Sequence, residues 1–319
     1  MSASPEIPSE SVEVRERLTS GEQVEVRRLV EAATDHDAVA PLSEHVLLQL
    51  RGPVHREPDA SPGERHVLVR TPAGELAGYA QLGVPAPDAL TAAELVVDPA
   101  RRGLGFGKEL LRALVARAPG GDLAVWAHGR RPAAERLAAS AGLHEGRVLW
   151  QVRRPLGPDL PAPSWPADIT PRVFVPGQDE ERWLDCNRRA FANHPDQGSW
   201  TRDDLEVREA EGWFDPSGFF LAERAGERRL AGFHWTKVHP GRGGSAPIGE
   251  VYVIGVDPDE QGTGLGRALL LHGLAHLRGK GLTDVMLYVD DDNVPALALY
   301  ERMGFVRDHA DVMFRTPAR

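Results

Sequence analysis

The tightest constraint on this chain is that one pattern occurs in it twice. Val97-Asp98-Pro99 returns as Val256-Asp257-Pro258, an offset of 256 − 97 = 159. Gly103, Gly105 and Gly107 return at the same offset as Gly262, Gly264 and Gly266, and Leu110-Leu111 as Leu269-Leu270. Upstream, "ELAGYAQL" at 75–82 matches "RLAGFHWTKV" at 229–238; downstream, "RLAASAGL" at 136–143 matches "ALYERMGF" at 298–305. Matches in one order at nearly fixed spacing mark a tandem duplication. Any fold must therefore be one that each half can adopt.

Each half reads the same way. A helical start ("GEQVEVRRLVEAATDHD"; "DEERWLDCNRRAF") precedes a strand pair around 65–83 and 218–238. An apolar strand, the glycine turn and a long helix follow. Then come a strand (123–128; 284–289), a helix and a terminal strand ("RVLWQVRR"; "DVMFRT"). This alternation predicts an α/β (α+β) architecture, with a mixed central β-sheet flanked by helices in each half. Between the halves, prolines at 155, 158, 161, 163, 166 and 171 remove backbone donors and forbid both helix and central strand. The expected division is a domain at 1–153, a proline-rich linker at 154–172 and a second domain at 173–319.

Composition excludes several classes. The net charge is −10 and no basic stripe is interleaved with aromatics, which argues against a nucleic-acid partner. No run approaches the roughly 20 apolar residues that cross a bilayer, so no membrane partner is expected. The first residues, "MSASPEIPSESVEVRERL", lack the basic and apolar regions of a secretory signal and read as a polar tail. Cys186 is the single cysteine, which fits a reducing cytoplasm and a small buried hydrophobe. The twelve histidines are scattered and no H-E-x-x-H occurs, so no metal is expected. A monomer is the working expectation, although sequence leaves the oligomeric state open.

The glycine turn lies between an apolar strand and a helix N-terminus, where free N–H groups and the positive end of the helix dipole meet. Glycines let the backbone approach a bulky anion, so the turn can hold phosphate oxygens. A Walker loop is set aside, because Lys108 is followed by Glu109 and not by Ser or Thr. A dinucleotide loop is set aside too: the spacing is G-x-G-x-G, and Pro258-Asp259-Glu260 separate strand from glycines. Arg102-Gly103-Leu104-Gly105-Phe106-Gly107 and Gln261-Gly262-Thr263-Gly264-Leu265-Gly266 resemble the pyrophosphate motif of the GCN5-related N-acetyltransferases, a family that binds acetyl-CoA. In the second half the resemblance extends through Asn293-Val294-Pro295-Ala296-Leu297-Ala298-Leu299-Tyr300 to Phe305.

Acetyl transfer from a thioester to an amine needs a base, donors for the thioester carbonyl, and an acid for the departing thiolate. Glu250, at the start of the strand into the loop, fits the base. The N–H groups of Ile254, Gly255 and Val256 fit the donors if the strand splays there, and Tyr300 fits the acid. Glu250 as a solvated strand-end acid and Tyr300 as a core tyrosine are the competing readings. In the first half the offset places Thr91 opposite Glu250, and either Ala138 or Leu137 opposite Tyr300. That half is expected to bind CoA without catalysing.

Across most of its length the chain is also similar to the actinobacterial mycothiol synthases, through "DHDAVAPLSEHVL", "RAFANHPDQGSW", "GFHWTKVH", "GEVYVIGVDP" and "LYVDDDNVPALALY". Those enzymes acetylate the cysteinyl amine of a cysteine–glucosamine–inositol pseudo-disaccharide. The resemblance implies substrate contacts by Glu44, Asp196, Lys237, Glu250 and Tyr288; Asp196 stands where that family would have a longer acid. It implies acetyl-CoA contacts by Leu95, Val96, Val97, Arg101, Arg102, Gly103, Leu104, Gly105 and Phe106. In the second half these are Ile254, Gly255, Val256, Gln261, Gly262, Thr263, Gly264, Leu265, Gly266, Arg267, Asn293, Val294, Pro295, Ala296, Leu297 and Ala298. Two alternatives stay open: another small-molecule or protein N-acetyltransferase, and a non-catalytic acyl-CoA sensor.

Overall fold

The computed structural model describes residues 12–50, 65–84, 90–192, 194, 197–241 and 244–317. The start of the expected polar tail, residues 1–11, and Asp196 lie outside them. The chain divides into two compact units, one of Met1–Trp150 with His309–Arg319, the other of Gln151–Asp308.

The first unit contains β1 (Val12–Arg15), α1 (Ser20–Asp37), α2 (Glu44–Gln49), β2 (Arg65–Arg70), β3 (Leu76–Leu82), β4 (Thr91–Val97), α3 (Phe106–Val115), β5 (Leu123–Ala127) and α4 (Pro132–Ser140). It also holds most of β6 (His144–Pro155) and of β12 (Val306–Arg315). β1 to β4 pair antiparallel in sequence order, β4 pairs parallel with β5, and β12 runs antiparallel on β5 with Met313 opposite Trp126. Helix α3 buries Leu110, Leu111 and Leu114 in a cluster with Val67, Val69, Ala80 and Ala93. Their three- and four-residue spacing puts them on one face.

The second unit repeats the plan with β7 (Ile169–Val173), α5 (Glu180–Ala190), α6 (Arg202–Glu209), β8 (Phe219–Arg224), β9 (Leu230–His239), β10 (Ile248–Val256), α7 (Leu265–Gly279), β11 (Asp284–Asp290) and α8 (Val294–Arg302). β7 to β10 pair antiparallel in order and β10 pairs parallel with β11. Trp183, Trp235, Phe219 and Phe233 are buried together at its core. Each unit is thus a mixed sheet flanked by helices, as the sequence predicts. Four details differ from expectation. Val12–Arg15, read as part of the polar tail, form β1, and the segment from His309 on, expected in the second domain, belongs to the first unit. β6 runs on to Pro155, and β7 begins inside the proline-rich stretch expected to be linker. β7 tolerates Pro171 because it is an edge strand, where a missing N–H need not break a ladder.

The end of the chain is held in the first unit by a buried ion triad. His128 Nδ1 is 2.8 Å from Asp311 Oδ2, and its Nε2 is 3.6 Å from Glu94 Oε2, an ion pair rather than a hydrogen bond. Gly129 N–H donates to Asp311 (2.9 Å) and Ser43 N–H to Glu94 (2.6 Å). Burial pushes the imidazole down, but Asp311 and Glu94 outweigh it and lift His128 to about 10. A value raised above the ordinary 6.5 means the stabilisation is whole below that pH and lost as pH climbs through about 10. Asp311→Ala should destabilise the first unit by about 3 kcal/mol, since it strips one partner from a buried charge. It should also flatten the loss of stability between pH 7 and 10, read as hydrogen-exchange protection of β5.

Candidate functional site

The site forms where two parallel strands part. The ladder between β10 and β11 covers Gly249 and Glu250, opposite Val285 and Met286, and goes no further. From Val251 to Val256 the edge of β10 that faced β11 has no ladder partner among the described residues, while its other edge stays paired to β9. Backbone donors and acceptors along that free edge must find water or a ligand. In the first unit the β4–β5 ladder runs from Thr91 to Glu94, leaving only Leu95 to Val97 beyond it. The second wedge is the deeper one.

It also carries a bulge. Val251 pairs with Thr236 and Val253 with Trp235, so Tyr252 is the extra residue; the register of β3 and β4 is unbroken. The bulge corrects the repeat alignment. Val256 pairs with Gly232 as Val97 pairs with Gly78, and Glu250 pairs with Lys237. Counted in register, the position of Glu250 corresponds to Ala92, across from Gly83, and not to Thr91. The helix ends settle the other pairing: Leu143 N–H donates to Ala138 O as Phe305 N–H donates to Tyr300 O, each at 3.0 Å. Ala138 therefore stands opposite Tyr300.

Below each wedge a short 3-10 turn leads into the glycine loop. Gly103, Gly105, Gly262 and Gly264 have φ of +80°, +99°, +79° and +88°, and a Cβ on Gly103, Gly262 or Gly264 would meet nothing within 4 Å. The loops therefore face open space, in a conformation that side chains rarely adopt. Gly105 and Gly264 cap α3 and α7 with no side-chain acceptor, so the first-turn N–H groups are left for an anion. Exposed Lys108 and Arg267 occupy the same place in the two first turns. Arg102 and Arg101, expected as contacts, spend their side chains elsewhere: Arg102 on Asp37 (2.9 and 2.8 Å), Arg101 on Glu75 (2.5 Å) and Asp98.

At the head of the deeper wedge Glu250 is buried, with Oε2 2.6 Å from His239 Nε2. Across the strand Lys237 is buried as well, its Nζ 4.1 Å from the Trp213 ring centre and 4.9 Å from that of Tyr252. Arg208 Nε donates to the Tyr252 hydroxyl (2.9 Å) and its guanidinium stacks 3.8 Å over Trp200. Glu250 and Lys237, both candidates from the sequence, are cross-strand partners, and His239, Tyr252, Trp213 and Arg208, which sequence reasoning did not single out, lie around them. The aromatics of "HWTKVH" and "EVYVIG" were visible in the sequence; the bulge that aims Tyr252 was not.

The remaining candidates are placed one by one. Tyr300 is buried against Phe305 and lines a cavity of about 240 Å³ with Leu297 and Val152; burial pushes its phenol up to about 12. Tyr288 is half exposed and accepts from Gln151 Nε2 at 2.8 Å. Asn293 caps α8, accepting from Ala296 N–H at 3.3 Å, so a structural role accounts for its side chain. Glu44 opens α2 in the first unit. Cys186 is buried and its thiol is pushed up to about 12, which removes it as a nucleophile. Among the described residues no group of three His, Cys, Asp or Glu side chains is set to hold a metal, and no helix is long and apolar enough to cross a membrane.

Comparison with known proteins follows the same lines. The model of the acetyltransferase (GNAT) family matches residues 33–142 and again 181–305. A protein named mycothiol acetyltransferase from Thermobispora bispora is 53% identical, covering 95% of this chain and 98% of that one. One of the same name from Thermomonospora curvata is 54% identical over 94% of this chain and 95% of its own. Among solved structures, a tandem GNAT protein from the clavulanic acid biosynthesis pathway shares the fold, with a TM-score of 0.71 at 19% identity over 97% and 100% of the two chains.

If the loop of the second unit holds an anion through its backbone, Gly264→Val should weaken CoA binding at least tenfold by calorimetry. The side chain would project into the open space and strain a left-handed residue by about 1–2 kcal/mol. Unchanged affinity would remove the loop from the site.

Proposed function

This chain belongs to the acetyltransferase (GNAT) family, and we propose that it transfers acetyl from acetyl-CoA to the cysteinyl amine of a cysteine–glucosamine–inositol pseudo-disaccharide, the last step of mycothiol formation. It is an acyltransferase; acceptor, co-substrate and residue roles are our reading. The observation that carries it is a buried carboxylate, Glu250, placed where β10 leaves β11, with an open phosphate-type loop past the other end of the same strand.

In this reading Glu250 takes a proton from the acceptor ammonium, directly or through one water. The freed nitrogen lone pair forms the new C–N bond at the thioester carbon, and the C–S bond breaks with its electrons going to sulfur. N–H groups on the free edge of β10, among Ile254, Gly255 and Val256, stabilise the carbonyl oxygen as it gains charge. Tyr300, kept protonated by burial, donates to the departing sulfur. One proton per turnover is released to solvent. Lys237 and Tyr288, with Glu44 and Asp196 as further candidates, contact the hydroxyls and ammonium of the acceptor. Gln261 to Arg267 hold the pyrophosphate, and Asn293 to Ala298 flank it.

We assign the first half a bound, unreactive CoA at Leu95 to Val97 and Arg101 to Phe106. Ala92 and Ala138 stand where base and acid would be, and its wedge is shallow and without a bulge. In an assay of the pseudo-disaccharide beside a lysine peptide and an aminoglycoside, strong preference for the first is expected. Glu250→Gln should lower kcat by about 10²–10⁴-fold with CoA still bound. Equal use of all three amines would sink the acceptor assignment, and tight CoA binding without turnover would favour a sensor.

A further inference from the structure

A base with two oxygens has to present one of them to its substrate. Glu250 sits on β10 with Lys237 as its Cα partner, and His239 lies two residues further along β9, on the same face. The Glu250 side chain is 8% exposed and that of His239 34%, so the carboxylate is the more buried partner of the pair. Its Nε2 is 2.6 Å from Oε2, within charge-assisted hydrogen-bond range. A carboxylate only accepts, so the facing ring nitrogen carries the proton. The neighbouring cation, Lys237, has its Nζ over the Trp213 and Tyr252 rings.

We propose that His239 is a positioning residue for acetyl transfer: its Nε2–H holds Oε2 of Glu250 and leaves Oε1 to face the acceptor amine. The inference rests on the reading of Glu250 as the base. It adds a residue that the repeat lacks, because the first half has Gly83 and Val84 where β9 carries Lys237 and Val238 and no histidine follows. His239 transfers no acetyl group and forms no covalent bond in this role.

Two measurements on the full chain separate this proposal from the acceptor assignment. The kinetic one uses whichever amine the wild type acetylates fastest. His239→Ala should lower kcat about tenfold, the scale of a misaimed catalytic group, with KM for acetyl-CoA unchanged within about twofold. His239→Gln, whose amide N–H reaches the place of Nε2, should recover most of that loss. An alanine variant with wild-type kcat, or a glutamine variant as slow as alanine, overturns the proposal. The second readout needs no acceptor. Imidazole ¹⁵N spectra, with the His239 signal identified by its loss in His239→Gln, should show the Nε2–H tautomer in the wild type and its loss in Glu250→Ala. A Nδ1–H tautomer in the wild type, or a signal indifferent to Glu250→Ala, overturns the contact even if every acceptor fails. The reverse result, an intact contact and no turnover of any amine, counts against Glu250 as a base and so against the proposal too.

Discussion

The parting of β10 from β11 after Glu250 is the constraint on which the rest of the site depends. A parallel pair that separates in mid-strand leaves one row of backbone N–H and C=O groups without partners, a state that buried backbone does not tolerate. Water satisfies such a row when the wedge is empty, and an extended ligand with its own amides can replace the water. Everything else is arranged around that edge. Gly262 and Gly264 put a second set of unpaired N–H groups just past its far end, and Glu250 closes its near end. The wedge thus has a direction, and the proposed reading puts phosphate at the loop and reaction at the carboxylate.

The two units build the same wedge from closely similar parts. Both have the strand, the 3-10 turn, the positive-φ glycines and a helix without a side-chain cap. They differ at the positions of Glu250 and Tyr300, where the first unit has Ala92 and Ala138, and by one residue, Tyr252, inserted into β10. A single insertion sends every residue beyond it to the opposite face of the strand, so it decides which side chain looks into the wedge. In the first unit, without it, the acid of the strand is Glu94, which is committed to His128 and Ser43. With His128 lifted to about 10, that imidazole stays charged through neutral pH and serves as a clamp rather than a base.

Much of this was legible in the sequence. The duplication, the strand and helix order and both anion loops follow from glycine spacing and apolar periodicity, which report local geometry. Glu250 and Tyr300 were legible because each sits at a fixed distance from a glycine landmark. What was not legible depends on pairing between distant segments. The opening of the wedge is a matter of where a ladder stops. The bulge shifts a register that a fixed offset of 159 assumes constant, which is why Thr91 was matched with Glu250 and Ala92 is its counterpart. His239 reaches Glu250 only because β9 and β10 are paired in that register. The partners of Arg101 and Arg102 were also not legible: acidic neighbours distant in sequence, Glu75 and Asp37, take up their side chains.

That pairing bears on how a chain of net charge −10 would receive the pyrophosphate proposed for its loops. Around both loops the formal charges cancel in pairs. Asp37 holds Arg102 in the first unit; in the second, Asp257 holds Arg189 (2.7 and 2.9 Å) and Glu260 holds Arg224 (2.8 and 2.6 Å). What remains at each loop is the field of unpaired N–H groups and the helix end, with a single exposed cation in the first turn, Lys108 or Arg267. Such a field is short in range and fixed in direction. It rewards an anion that fits against the backbone and offers little to a phosphate chain passing over the surface. In the proposed reading, a compact pyrophosphate is favoured over nucleic acid because the side chains are neutralised and the backbone is left to bind.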